Sequence, residues 1–116
     1  MAQIKSYTVT ATAGGSTYSP VYVPDFNQNP FSISLFVNVG TTARYTVQHT
    51  FTNPFETALT SAAAGVWLAH EFLSSVVSTS DDGNYAYPVM GIRLCVSAAN
   101  TGTATLTIVQ GHGTGS

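Results

Sequence analysis

Charge is what this sequence has least of. Only 7% of its 116 residues are charged, against about a quarter in a typical soluble domain. The cations are three, Lys5, Arg44 and Arg93, and five acidic residues bring the formal net charge to −2. Cations this few and this scattered give no footprint for a phosphate backbone or an anionic bilayer, so neither nucleic acid nor a membrane is an expected partner. A single cysteine, Cys95, excludes an internal disulfide and a cysteine-built metal site. No stretch reaches the roughly 18 uninterrupted apolar residues of a membrane span, and MAQIKSYTVT carries no long apolar signal segment. The expectation is a soluble protein made in the cytoplasm.

What is present is apolar and hydroxylic. At 44% hydrophobic the chain is not disordered, and its length suits one domain, residues 1–116, around one core. With so few charges the exterior must be neutral and polar, a role that falls to Ser and Thr. These suit solvent-facing strand positions but provide little repulsion between copies of the molecule.

Period-two alternation runs through most of the chain and predicts strands. Residues 3–13 set Ile4, Ser6, Thr8 and Thr10 against Tyr7 and Val9. YSPVYVP, with Pro20 and Pro24, can be extended only as an edge piece or an ordered N-terminal arm. FSISLFVNV puts Phe31, Ile33, Leu35, Val37 and Val39 on one face, and TARYTVQHTF does the same with Tyr45, Val47, His49 and Phe51. VGTT between these two runs predicts a hairpin.

Alternation fails from about 53 to 74, which predicts a long irregular loop with at most a short helical turn. VVSTS then reads as a short strand and Asp81 to Asn84 as a turn. In VMGIRLCVSA, Met90, Ile92, Leu94, Val96 and Ala98 share one face, so the pleat turns Arg93 outward. NTG leads into TATLTIVQ, with Ala104, Leu106 and Ile108 facing in, and the tail 111–116 is expected to be flexible. The fold class is all-β: a single β-sandwich, jelly-roll or Ig-like, of about 6–8 antiparallel strands.

Catalytic patterns are missing. WLAHEF lacks the second histidine of a zincin, since Ser74 stands where it would be. His49 reads as a partly buried histidine satisfied by one neighbour. DDGN lacks the spacing of a calcium loop, no G-x-S-x-G elbow is present, and the glycine-rich stretches lack the lysine of a phosphate loop. The chain is read as a non-enzyme with no cofactor, metal or small-molecule substrate.

The second half, RYTVQHTFTNPF, then a lone Trp in a variable loop, then DDGNYAYPVMGIRLCVSAANTGTATLTIVQG, resembles small virion proteins of tailed bacteriophages. More narrowly it is similar, over about residues 42–111, to decoration or cement proteins that bind the outside of a capsid. That resemblance implies a small β-sandwich without catalytic residues, located on the virion, whose partners are the major capsid protein and copies of itself in a dimer or trimer. Candidate interface residues are Arg93 and Arg44, outward cations in this nearly uncharged chain, and the aromatics Trp67, Tyr85 and Tyr87 of the irregular stretches. Two alternatives stand beside it: a carbohydrate-binding module using Trp67, Tyr85 and Tyr87, and a neck or tail adaptor.

Overall fold

Among the described residues nine strands form, the longer of them where apolar residues alternate with hydroxyl or polar ones: β1 (Gln3–Thr10), β2 (Ser16–Tyr18), β3 (Ile33–Val39), β4 (Arg44–Thr50), β5 (Trp67–Ala69), β6 (Val76–Val77), β7 (Asp81–Tyr85), β8 (Gly91–Ser97) and β9 (Thr103–Gln110). The computed structural model describes residues 3–11, 16–24, 32–40, 43–53, 65–74, 76–77, 80–86, 88–97 and 102–110. The expected tail 111–116, most of the irregular loop and Tyr87 lie outside the described residues. Among the described residues there is no helix, so the anticipated helical turn is not seen there.

The strands make two antiparallel sheets, β1-β9-β3-β7 and β2-β8-β4-β5, with β6 also paired to β4. Because β5 and β6 lie along the same edge of β4, they are two halves of one interrupted strand. Counted so, the order is a folded ribbon. First pairs with last (β1 with β9), second with seventh (β2 with β8), third with sixth (β3 with β7) and fourth with fifth. That is the jelly-roll winding, and it decides against an Ig-like arrangement.

Two local expectations are corrected. The hairpin across VGTT does not form, since β3 and β4 belong to opposite sheets. Alternation determines which side of a strand faces the core, but not which strand lies beside it. The turn at Asp81 to Asn84 is instead most of β7, paired with β3 from Ile33↔Tyr85 to Val37↔Asp81. Turn-type residues are tolerated there because an edge strand needs backbone partners on one side only.

The sheets close over one apolar core. Ile33, Leu35, Val37, Ala104, Leu106 and Ile108 from the first sheet meet Tyr45, Val47, Ile92, Leu94 and Val96 from the second, all buried. A large aliphatic side chain buried this way contributes about 1.5–3 kcal/mol. Gly65, at a φ of 82°, leads the chain into β5 through a left-handed conformation that favours glycine.

Candidate functional site

Arg93 shows why β8 can carry a cation through the middle of a sheet. Its register partner on β4 is Gln48, and its Nε donates to Gln48 Oε1 at 2.7 Å. The guanidinium carbon lies 4.2 Å from the ring centre of Tyr18 and 4.1 Å from that of Trp67. Tyr18 ends β2 on one side of β8, whereas Trp67 begins β5 and reaches over β4 from the other. A planar cation between two π faces is attracted to both, by about 2 kcal/mol per contact where water is excluded.

The outward pointing of Arg93 therefore holds, yet its guanidinium is not left to solvent. Only 5% of Arg93 is exposed, on the outside of its sheet, because the two aromatic rings roof it. Burial pulls the guanidinium below its usual pKa, and nearby Tyr18 and Cys95 act in the opposite direction; at neutral pH it remains a cation. Trp67 is half-buried in this stack. Arg44 is exposed at the start of β4, opposite Ser97 and Val77.

Tyr85 is a correction. It is 1% exposed and offers no surface to a partner or a sugar, because it points inward from β7 beside Ile33. Its hydroxyl is hydrogen-bonded to His49 Nδ1 at 2.7 Å, and His49 is itself buried, where the sequence predicted a partly buried histidine. Burial, with a smaller contribution from His70, holds His49 below the ordinary histidine pKa.

His70 belongs to the same aromatic run and was not legible as such. The Tyr85 ring stands edge-on between His49 and His70, with centroids 5.0 and 4.9 Å away, and exposed Phe51 and Phe72 flank the two histidines. His70 Nδ1 accepts from the backbone N–H of Phe72 and of Leu73, at 3.1 and 3.2 Å. The proton is thereby assigned to Nε2, which donates to the Asn84 carbonyl of β7 at 2.9 Å. Gly83 makes this contact possible. A Cβ there would stand 3.0 Å from His70 Cε1 and 3.1 Å from Leu73 Cδ1.

The outer face of the first sheet is of another kind. Ser6, Thr8 and Thr10 of β1 pair with Thr107, Thr105 and Thr103 of β9, their hydroxyls 3.1, 2.9 and 3.4 Å apart. Ile4, Val109 and Phe36 are exposed among them, and Asp82, at the β7 edge, is the one charged residue that the described register places on this face.

Among the described residues no cluster of three or more His, Cys, Asp or Glu side chains is placed to hold a metal ion. No protein-family model matches the chain, and no curated protein is similar to it.

Proposed function

We propose that this protein is a non-enzymatic structural component of a bacteriophage virion, a decoration or cement protein that binds the capsid surface and stabilises it. The observation that carries this reading is the outer face of the first sheet, where β1, β9 and β3 present hydroxyl, amide and apolar side chains and β7 adds Asn84 and a single charge, Asp82, at the margin. Such a face has little electrostatic reason to keep neighbours away, and its exposed Ile4, Phe36 and Val109 gain by being covered. The partners are the major capsid protein and further copies of this chain. The jelly-roll is a fold used by viral shells and by lectins alike, so the fold supports the reading only by analogy.

The carbohydrate alternative is weakened on this chain's own residues. Of its three aromatics, Tyr85 is buried and Trp67 has a face stacked on Arg93.

The test is cosedimentation of the purified protein with empty shells, together with heat resistance of particles stripped of it. Binding to shells and a lower melting temperature of the stripped particles are expected. Particles of unchanged robustness and a protein that never sediments with shells would remove the proposal. Oligosaccharide binding seen by calorimetry, abolished by Trp67→Ala, would replace it with the lectin reading.

A further inference from the structure

The strand opposite β4 is broken by an insertion. Ala69 stands opposite Gln48, and Val76 opposite Tyr45; between these pairs β4 supplies two residues and the facing chain six, 70–75. The four extra residues form a large bulge, a feature that in sheets gathers at functional edges. Its described part, residues 70–74, acts as a strap. The His70 N–H donates to the Val47 carbonyl and the Val47 N–H to the Leu73 carbonyl, both at 2.8 Å, while the Leu73 side chain is fully buried between the sheets. His70 Nε2 reaches across to Asn84 on β7. One short segment thus covers the margin of β4 in one sheet and of β7 in the other.

We propose that His70 is the latch of this strap, and that protonation of its Nδ1 in mild acid releases residues 70–73 and uncovers both strand margins. Nδ1 can accept the Phe72 and Leu73 N–H groups only while it carries no proton. Once protonated it becomes a third donor facing two others, and the turn loses the acceptor that closes it. Histidine is the side chain that makes this change just below neutrality. The titratable and charged groups that face it are Tyr85 and, beyond it, His49 on β4, with Glu71 on the strap and Asp81 and Asp82 of β7 lining the same groove. Burial, with a smaller contribution from His70, lowers the pKa of His49. A released strap leaves backbone donors and acceptors of β4 and β7 open to a strand from a neighbouring chain. This device is independent of the capsid reading.

The test is amide hydrogen exchange followed from about pH 7.5 to about pH 5, with protection corrected for the intrinsic rate. The protection of Leu73 and Val47, taken relative to Leu106 in β9 so that any loss of global stability cancels, is expected to fall about tenfold across that range. His70→Asn retains an acceptor near the Nδ1 position but does not titrate, so its protection should be flat with pH; His49→Gln should behave like the parent chain. Equal protection of Leu73 at both ends of the range overturns the proposal. So does a loss shared in step by Leu106, a dependence that survives in His70→Asn, or one that disappears in His49→Gln.

Discussion

On the outer face of the first sheet, hydroxyls of β1 and β9 bond to one another across the strands and leave Ile4, Phe36 and Val109 open to water. On the outer face of the second, a cation at the centre of β8 is roofed by Tyr18 and Trp67 and tied to Gln48. Both faces lie outside the core, the first on strands of 5 to 8 residues and the second on two strands of 7 flanked by pieces of 2 or 3. They differ in what their side chains do for the fold. Among the described residues the second sheet has no third layer over it and makes one from its own aromatics, so its outer contacts are internal stability. The first sheet holds its outer residues with weak hydroxyl pairs and keeps the surface available. The contrast makes the outer contacts of the second sheet reinforcement and, under the function proposed above, leaves recognition to the first.

The strongest way to break that assignment is Arg93→Ala. It removes two cation–π contacts, the bond to Gln48 and the packing of the aliphatic stem under the rings. The expected loss is about 2–3 kcal/mol in urea unfolding, and Arg93→Lys should recover part of it, because an ammonium keeps the charge but not the planar stack. If Arg93→Ala cost under about 0.5 kcal/mol yet abolished binding to shells, the roles of the two faces would have to be exchanged.

Much of this architecture was legible before any coordinates. The strands at Ile33–Val39, Arg44–Thr50, Gly91–Ser97 and Thr103–Gln110 announce themselves because apolar residues recur at every second position along each. The outward direction of Arg93 followed from the same pleat. What could not be read was pairing. The β7 segment DDGNY has turn composition and becomes a strand only because β3 offers an edge. The roof over Arg93 joins residues from β2, β5 and β8, and no local spacing announces a contact between positions 18, 67 and 93. The His49–Tyr85–His70 run is hidden for the same reason, as it requires the strap to be folded against β4 and β7. Its one local trace is the irregularity that interrupts the alternation around 70–75.

The comparison is sharpened next by acid, which should act on the seam between the sheets and spare both outer faces. Since His49 is depressed by burial in the folded chain, the unfolded chain binds that proton more readily. Stability is at its full value above the unfolded histidine pKa of about 6.5 and is lost as the pH falls below it, levelling off beneath the folded value. Urea midpoints measured at about pH 8 and about pH 5 should therefore decrease toward acid, and His49→Gln should flatten the slope. An unchanged slope in His49→Gln would place the titrating group elsewhere in the seam.

The smallest expected effect on folding is also the most telling about recognition. Thr105 lies on β9 at the middle of the first sheet, its hydroxyl 2.9 Å from that of Thr8 in an exposed position. Thr105→Val keeps the branched shape and loses only this pair, so stability should move by less than about 0.5 kcal/mol. Thr105→Lys should be tolerated nearly as well by the fold, since an exposed strand position accepts a long side chain that projects into water. It nevertheless sets a charge at the centre of the uncharged surface, where a close neighbour would have to desolvate it. Cosedimentation with shells, and association between copies, should then fall in Thr105→Lys while Thr105→Val retains both. Equal binding by the two variants would show that the first sheet is no more a contact surface than the second, and the open hydroxyl face would need another explanation.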